Sequence, residues 1–355
     1  MPAQKRIIFD CERMKYPDTG LYHYCMNLGQ YLEKNIDLAE EALFFYSPAW
    51  EQHWSFSPGN HLTQHPLHKF SMPALGGFDI WHATYQNTHY IPMRNRRIKV
   101  VLSIHDLNFM YDEKKSPAKK EKYLRYLQGL INRADAIICI SEFCKKDVLT
   151  HCDIGSKPLH VIHNGTNMLV KPGLNKDSYQ PKKPFLFSIG VINRKKNFHV
   201  LLPLLQKNTM ELVIAGKFDD NDYLSLLRKK SRELGVEENL HLLGPVSEME
   251  KSWYFRHCNA FAFPSISEGF GLPVVEAMSC GKPLFLSNRT ALPEIGGDVS
   301  FYFHDFQPDH MEEVFHIGMS RYDNEDFRRR IRERSLSFNW HKAARQYIDV
   351  YRSLY

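Results

Sequence analysis

Short apolar runs of strand character alternate with amphipathic helical stretches along the whole of this 355-residue chain. The alternation constrains the fold more than any other feature, because strands separated by helices pair in parallel and are covered by those helices. The chain is also longer than one hydrophobic core usually organises, since domains mostly contain about 100–200 residues. The sequence therefore predicts two α/β domains in tandem, each built on a parallel sheet.

The predicted elements fall into two series. In the first, the predicted strands are Arg6–Phe9, Leu43–Tyr46, Asp79–Ala83, Lys99–Ile104, Ala136–Ile140 and His160–Ile162, and the helices are Leu21–Leu32 and Ala118–Arg133. In the second, the predicted strands are Phe185–Ile189, Leu212–Ala215, Leu240–Leu243, Ala260–Phe263 and Pro283–Ser287, and the helices are Phe198–Leu205, Tyr223–Leu234, Met249–His257, Pro273–Cys280 and Glu325–Leu336. Thr166–Lys183, with few apolar residues, is the predicted linker. Ligands of such sheets gather outside the carboxyl ends of the strands, so functional residues are expected directly after strands.

Composition excludes several classes of protein. No stretch approaches the ~18 uninterrupted apolar residues of a membrane span, and the N-terminus lacks the apolar core of a signal peptide, so a cytoplasmic protein is expected. Seven cysteines, an odd number without a C-x-x-C pair, argue against a disulfide framework and a thiolate zinc site.

The net charge of +6 is modest, but basic residues cluster within Arg94–Lys99 and Lys114–Arg125. Such clusters can meet anionic lipid, phosphate or nucleic acid, and they can equally be solvated faces. No zinc-finger, RNP or helix-turn-helix pattern accompanies them, so nucleic acid is not an expected partner. Peripheral contact with the inner face of a membrane stays open.

The segment from Ser265 to Pro283 is the most informative in the chain. A predicted strand ends just before it, and a loop containing Gly269 and Gly271 then leads into a helix, with Pro273 suited to its first position. Backbone N–H groups at a helix start have no partner within the helix, and the helix dipole there favours anions. A diphosphate is the natural occupant of such a site.

Two glutamates flank this helix start. Glu276 falls among apolar neighbours, and a partly buried carboxylate needs hydrogen-bond donors such as the vicinal hydroxyls of a ribose. Glu268 lies on the loop, where it would face a ligand. Both glutamates could instead simply complement the positive end of the helix dipole.

A second constellation is the basic turn Gly190–Phe198, which follows a predicted strand and contains Arg194, Lys195 and Lys196. Cations at an exposed helix N-terminus are unfavourable by about 0.3–1 kcal/mol each. A bound polyanion, such as a departing nucleoside diphosphate, would offset that cost. The alternative is a solvated loop.

Two further positions fall in the first half. His105 ends an apolar strand and could bond a sugar hydroxyl or an acceptor, although a core or turn histidine is the alternative. Gly20 lies in a segment that can turn into a helix N-terminus.

Metal binding is not predicted. The D-x-D pattern within Asp219–Asp222 suits a helix N-cap better than a metal site. His61, His65 and His68 are interrupted by Pro66 and have no acidic ligand among them.

Taken together, these segments resemble retaining glycosyltransferase family 4, of the two-domain GT-B fold. The most specific part, Glu268 to Glu276, resembles the E-x7-E signature of that family and continues to Pro283. Supporting matches, in family order, are Ile104–Leu107, Ala134–Glu142, Val161–Gly165, Lys195–Asn197 and Ala291–Asp298.

The resemblance implies a role for each site residue. Glu268, His105 and Lys196 would form the catalytic set, with Glu268 and His105 contacting the donor sugar. Glu276 would bind the ribose, and Lys196 with Arg194 and Lys195 would neutralise the diphosphate. Gly269, Phe270, Gly271 and Leu272 would line the donor site, with backbone amides of the last two facing the phosphates. Neither a cofactor nor a catalytic metal ion is implied.

The resemblance also implies the architecture: an acceptor domain at 1–170, a donor domain at 184–337, a cleft between them, and a final helix at 340–355 crossing back to the first domain. On the acceptor side, Tyr22 stands after Gly20 where many members have a second glycine, which would reshape the acceptor site. Val191 stands where many members have arginine, so the cationic role falls on the basic turn.

The implied function is transfer of a sugar from a nucleotide-diphosphate sugar to a glycan or lipid-linked acceptor in bacterial surface polysaccharide synthesis. The segment Ile104–Leu107 resembles mannosyltransferases that use GDP-mannose, while UDP-sugars stay open. A nucleotide-sugar epimerase of similar architecture and a non-catalytic nucleotide-sugar-binding protein are the alternatives.

Overall fold

The computed structural model describes residues 4–17, 19–48, 60–166 and 171–355. The chain divides into two units, the first formed by Met1–Gly165 with Asn339–Tyr355 and the second by Thr166–Phe338. Each unit contains one sheet whose paired strands run parallel, with helices between most successive strands. The chain therefore leaves the first unit once and returns to it for its last segment.

The first unit carries a seven-stranded sheet within the described residues. Its strands are β1 (Lys5–Asp10), β2 (Glu41–Pro48), β3 (His61–Gln64), β4 (Ile80–Ala83), β5 (Lys99–Ile104), β6 (Ala136–Cys139) and β7 (Leu159–Val161), in the order β3-β2-β1-β4-β5-β6-β7. Its helices before the crossover to the second unit are α1 (Gly20–Asn35), α2 (Pro117–Arg133) and α3 (Glu142–His151). The strand order reverses between β1 and β4, which is where ligands of doubly wound sheets bind.

Side-chain alternation along the strands builds a core on each face of this sheet. Ile7 and Phe9 of β1 join one buried cluster, whereas Ile8 between them joins the other. Successive side chains of a strand point to opposite faces, so a strand buried on both faces reads as a continuous apolar run.

The second unit repeats the arrangement with six described strands. These are β8 (Phe185–Ile189), β9 (Glu211–Ala215), β10 (Leu240–Gly244), β11 (Ala260–Phe263), β12 (Leu284–Ser287) and β13 (Phe301–Phe303), in the order β10-β9-β8-β11-β12-β13. Its helices are α4 (Leu204–Lys207), α5 (Asn221–Glu233), α6 (Glu248–His257), α7 (Leu272–Ser279), α8 (Leu292–Gly296), α9 (Pro308–Tyr322) and α10 (Glu325–Ser335). The strand order reverses between β8 and β11.

The last helix, α11 (Trp340–Arg352), belongs to the first unit. The Asn339 side chain caps it by accepting hydrogen bonds from the His341 and Lys342 N–H groups. At Gly165, a Cβ atom would lie 2.3 Å from the backbone nitrogen of Trp340. Glycine is therefore required where the segment after β7 meets the start of α11.

Polar contacts then fix α11 against the rest of the first unit. Arg352 Nε and Nη2 each lie 2.8 Å from a carboxylate oxygen of the buried Glu41, in a bidentate pair. The Tyr347 hydroxyl lies 2.8 Å from that of Tyr24 on α1. The helix is thus anchored at both its middle and its end.

Most predicted elements are confirmed to within a few residues, but one helix is wrong. Phe198–Leu205 forms a 3₁₀ turn at Phe198–Leu201, and α4 starts only at Leu204. Pro203 lacks the N–H that a continuous helix would use, which breaks the hydrogen-bond ladder there.

The predicted linker is also partly wrong. From Gly173 onward it is bound to the second unit, through Gly173 N–H to the Met249 carbonyl at 3.3 Å and the Tyr254 hydroxyl to the Tyr179 carbonyl at 2.6 Å. Residues 167–170 lie outside the described part of the chain.

None of the described helices combines the length and the apolarity that crossing a bilayer requires. All seven cysteines carry free thiols.

Candidate active site

The predicted basic turn and the predicted glutamate loop follow adjacent strands of the second sheet. The basic turn comes after β8 and the glutamate loop after β11, and these strands pair in parallel at the point where the strand order reverses. Both segments therefore leave the same edge of the sheet at its switch point, which is the usual ligand position in this class of sheet.

A buried ion pair joins the two segments. Lys196 Nζ lies 2.5 Å from Glu268 Oε1, and both side chains are only 12% exposed. The Ser265 hydroxyl donates to the same carboxylate oxygen at 2.5 Å. The structure thus brings together two of the three residues predicted as catalytic.

Burial and pairing set the ionisation of these groups. Burial lowers the pKa of the Lys196 ammonium, against the attraction of Glu268. Burial alone would raise the pKa of the Glu268 carboxyl, but the charges of Lys196 and Lys195 and the hydrogen bonds it accepts outweigh burial and hold that pKa below its usual range. Glu268 is therefore ionised at neutral pH.

Backbone contacts hold the two segments in register. The Lys195 carbonyl accepts a hydrogen bond from the Ile266 N–H at 3.0 Å, and Ser265 Oγ lies 3.2 Å from the same carbonyl. Gly190 adopts φ +150°, and a Cβ there would lie 2.9 Å from Lys196 Cε. Glycine at this position lets the lysine chain pass directly over the backbone on its way to Glu268.

Thr290 fixes the peptide of Glu268 and was missed by the sequence analysis. Its hydroxyl accepts a hydrogen bond from the Glu268 N–H at 2.9 Å, and the Ala291 N–H donates to the Glu268 carbonyl at 3.4 Å. Thr290 has φ +54°, a costly conformation for a β-branched residue. A backbone dihedral leaves no local signal in a sequence, so nothing in the pattern marks this threonine.

Glu276 on α7 forms a second ion pair, with a lysine that the sequence analysis also missed. Lys251 Nζ on α6 lies 2.9 Å from Glu276 Oε1 and 2.8 Å from Glu248 Oε2. Burial opposes the charge on Lys251, but both glutamates raise the pKa of its ammonium above the ordinary value. The available signal was a lysine three residues after Glu248, at helical spacing.

Gly271, with φ +105°, is the N-cap residue directly before α7. As a glycine, this N-cap residue supplies no side-chain hydrogen bond to the helix start. Phe270 is buried and packs edge-on against Phe338 at 5.7 Å, so its side chain supports the loop from beneath. Gly269 is buried beside it, Leu272 is half-buried, and Arg194 on the basic turn is exposed.

His105 belongs to the first unit, at the carboxyl end of β5, and is 7% exposed. Its N–H donates to Gln86 Oε1 at 3.0 Å, and its Nε2 lies 2.8 Å from the Thr84 carbonyl, to which it donates. Burial lowers the pKa of His105 to about 4 despite the Thr84 bond, so the ring is neutral at pH 7. The ring atom left for a substrate is Nδ1, as a hydrogen-bond acceptor.

The acceptor-side residues Gly20 and Tyr22 lie in the first turn of α1. Thr19 caps this helix by accepting the Tyr22 N–H at 3.2 Å. The Tyr22 ring is 7% exposed and belongs to the core cluster, so it is oriented away from solvent. Their acceptor-side role stays a prediction.

The N-cap interpretation of the D-x-D pattern is confirmed, because the Asp220 side chain caps α5 by accepting the Tyr223 N–H at 2.9 Å. In the described parts of the chain, no group of three or more His, Cys, Asp or Glu residues is placed to hold a metal ion.

Two family models match the chain over its two halves. Residues 24–168 match the model described as Glycosyltransferase Family 4, and residues 170–334 match the model described as Glycosyl transferases group 1. Together the matches cover the whole second sheet, all of the first sheet except β1, and every donor-side residue of the candidate site. The chain belongs to glycosyltransferase family 4. It is accordingly a glycosyltransferase.

Curated relatives of this family 4 enzyme include O-antigen chain mannosyltransferase B of Escherichia coli. That protein is 25% identical, with 98% of this chain and 100% of the relative covered. The serotype-specific mannosyltransferase WbdA of Escherichia coli is 28% identical over 74% of this chain, but the match spans only 34% of WbdA.

Solved structures show the fold of the family 4 enzyme. Sucrose-phosphate synthase from Thermosynechococcus elongatus matches with a TM-score of 0.79 and 17% identity, covering 99% of both chains. HepE of Anabaena, solved in complex with UDP and glucose, matches with a TM-score of 0.72 and 17% identity, covering 99% of this chain and 100% of HepE. The two parallel sheets and these likenesses identify the GT-B fold.

Proposed function

We propose that this enzyme transfers a sugar, with mannose the first candidate, from a nucleoside-diphosphate sugar to a glycan acceptor in bacterial surface polysaccharide synthesis. Two relatives named above are mannosyltransferases, one of them of the O-antigen chain. A lipid-linked acceptor would bring the protein to the inner face of a membrane. GDP and UDP are both candidate nucleotides.

The Lys196–Glu268 pair at the switch point of the second sheet carries the proposal. The basic turn contributes three cations, and Glu268 balances only one of them within the pair. The surplus positive charge lies on the same sheet edge as the N-terminus of α7, and both features attract phosphate. A sugar diphosphate supplies the negative charge that this arrangement lacks.

The Glu276–Lys251 pair suits the pentose of the same ligand. Lys251 donates a hydrogen bond to one oxygen of Glu276, at 2.9 Å. A carboxylate has about four lone-pair sites, so capacity remains for two ribose hydroxyls. Lys251 therefore positions the Glu276 carboxylate and leaves some of its hydrogen-bonding sites for the ribose.

We propose transfer with retention, by attack on the front face of the sugar. The acceptor oxygen forms a bond to the anomeric carbon as the bond from that carbon to the phosphate oxygen breaks. The acceptor proton passes to the leaving diphosphate, whose growing negative charge the basic turn stabilises. In the first unit, His105 accepts a hydrogen bond from a substrate hydroxyl through Nδ1. Because lysine and arginine stabilise the leaving group, we expect no requirement for a divalent metal ion.

A thermal-shift screen with GDP, UDP, ADP and their sugars tests the proposal first. A ligand at about 100-fold its dissociation constant adds about 2.7 kcal/mol of stability. Lys196→Ala should abolish the thermal shift, or raise at least tenfold the ligand concentration that is needed to produce it. Lys229→Ala, an exposed lysine on α5 of the same unit, is the matched control and should leave it unchanged.

Turnover then separates the transferase from its alternatives. We expect release of nucleoside diphosphate that depends on added acceptor, and a product whose anomeric configuration by NMR equals that of the donor. An epimerase would change the sugar without acceptor, and a binding protein would show a thermal shift without turnover. An inverted product would refute retention alone.

A further inference from the structure

The first unit contains a cavity of about 210 Å³ at the carboxyl edge of its sheet. Its lining comes from the segment after β4, the segment after β5, and α2. The lining includes Tyr85, Asn87, Asp106, Phe109, Lys115 and Tyr123. All lie within the described residues of one unit, and none has been assigned a role so far.

Three aromatic rings, together with Leu127, form the apolar part of the wall. Phe109 and Tyr123 pack edge to face with ring centroids 5.4 Å apart. The Arg13 guanidinium lies over the Tyr85 ring at 4.6 Å, which holds that ring in place. Fixed aromatic rings present apolar surface without losing conformational entropy when a ligand arrives.

The polar part of the wall suits hydroxyl groups better than phosphate. Asp106 Oδ1 accepts the Asn108 N–H at 2.9 Å, which orients its carboxylate. The Asn87 amide both donates and accepts, as a hydroxyl does. Lys115, the cation of the lining, is already paired with Asp112. The cavity therefore offers no surplus positive charge to an anion.

The size of the cavity limits its occupant. Pockets for drug-sized ligands begin at about 300 Å³, and this one is smaller. One sugar ring, with a face for an aromatic side chain and hydroxyls around its edge, combines the required size and chemistry.

The cavity is tied to His105 by the chain and by one side chain. Asp106 follows His105 directly, and Gln86 bonds to both residues. Its Oε1 accepts the His105 N–H at 3.0 Å, and its Nε2 donates to the Asp106 carbonyl at 2.9 Å. A ring bound in the cavity would thus lie at the same sheet edge as the predicted catalytic histidine.

We propose that this cavity binds one sugar ring of the glycan acceptor, with Tyr123 stacking against it and Asn87 and Asp106 bonding its hydroxyls. The assignment to the acceptor rests on the proposed transferase function. It gives the acceptor a set of residues different from Gly20 and Tyr22, whose tyrosine ring is buried in the core.

Binding is tested on the full-length protein without a donor. Saturation-transfer NMR uses the methyl α-glycosides of mannose, glucose, galactose, rhamnose and N-acetylglucosamine as probes. We expect transfer to at least one of them, and its loss in Tyr123→Leu and Asn87→Ala. The matched controls are Tyr31→Leu on α1 and Asn132→Ala on α2, a half-buried and an exposed position outside the cavity lining.

Kinetics test the assignment to the acceptor. Tyr123→Leu should raise the KM for acceptor at least tenfold and Asn87→Ala a few-fold, with the donor KM and the nucleotide thermal shift within twofold of wild type. The proposal is overturned if no glycoside receives saturation, if saturation persists in the Tyr123→Leu/Asn87→Ala double variant, or if both single variants keep a normal acceptor KM.

The two proposals fail separately. Absence of any nucleotide thermal shift would refute the proposed donor site. It would not affect the saturation-transfer signal, which reports glycoside binding in the cavity. A normal donor response with unchanged acceptor KM in both cavity variants would remove only the acceptor subsite.

Discussion

The ammonium of Lys196 lies 2.5 Å from the carboxylate of Glu268, although the two residues follow different strands of the second sheet. Each side chain is 12% exposed, so neither charge is well solvated without the other. The pair therefore joins the basic turn to the glutamate loop, and it makes the stability of this edge depend on the same groups that we propose bind the donor.

Replacing Lys196 with alanine should lower both activity and stability. Loss of one partner leaves a buried, uncompensated carboxylate, at a cost of about 3 kcal/mol. We expect kcat to fall at least 100-fold, as on removal of other groups that stabilise developing charge. Steady-state kinetics and urea unfolding measure the two effects. In Lys196→Ala/Glu268→Gln, stability should partly recover while activity stays low, and near-normal turnover in the single variant would contradict the assigned role.

Thr290 should act by positioning Glu268. Thr290→Val keeps the branched shape but leaves the Glu268 N–H without its acceptor, which should cost about 1–3 kcal/mol and reduce kcat with little change in donor KM. Thr290→Ser keeps the hydroxyl and should retain most activity. Equal kinetics for the two variants would show that the hydrogen bond does not matter for turnover.

Lys251 should affect donor binding through Glu276. Lys251→Met removes the cation that compensates a carboxylate only 16% exposed, so we expect a donor KM raised about tenfold and a smaller nucleotide thermal shift. Lys229→Met on α5 is the control. A larger effect on acceptor KM than on donor KM would argue against a ribose site at Glu276.

Acid should destabilise the first unit through its buried histidines. Burial lowers the pKa of His82 to about 3, with repulsion from His105 adding to it, and the pKa of His105 lies at about 4. Because unfolded histidine has a pKa of about 6.5, the unfolded chain binds more protons below that pH. The stabilisation is complete above about pH 6.5 and is lost as the pH falls toward the folded values.

Lowering the pH from 7 to 4.5 should reduce the free energy of unfolding by roughly 2 kcal/mol for each of these two histidines. Urea unfolding at the two pH values measures the total, and His82→Gln should shrink the difference by about that amount. An unchanged difference in His82→Gln would show that this histidine is not neutral and buried in solution.

Chelation should leave the transferase active. The proposed mechanism places the leaving diphosphate against lysine and arginine side chains, so excess EDTA should change kcat by less than twofold. Loss of activity that is restored by Mg²⁺ or Mn²⁺ would require a metal ion in the transfer step.

The sequence was informative where function and fold depend on local pattern. The apolar run Lys99–Ile104, the Asp220 cap and the glycine loop before α7 each leave a signal within a few residues. β3, by contrast, is an edge strand whose residues His61–Gln64 include a single apolar side chain, and its strand character comes from pairing with β2.

The parts of the site that escaped prediction are tertiary. The Lys251–Glu276 pair joins residues 25 positions apart, and the Glu268–Thr290 bond joins residues 22 apart. Thr290 was also hidden because its left-handed backbone is imposed by its neighbours against its own preference. Periodicity and local spacing carry no information about contacts between residues more than roughly 20 positions apart.

The return of the chain to the first unit has a consequence for biosynthesis. Leu28 and Leu32 of α1 share a buried cluster with Trp340 and Tyr347 of α11, which the ribosome makes only after the whole second unit. Domains usually fold as they emerge, N-terminal first, but here an apolar face made early must wait for residues 339–355 before it is covered. A nascent or prematurely terminated chain would therefore expose that face and become a substrate for chaperones and proteases.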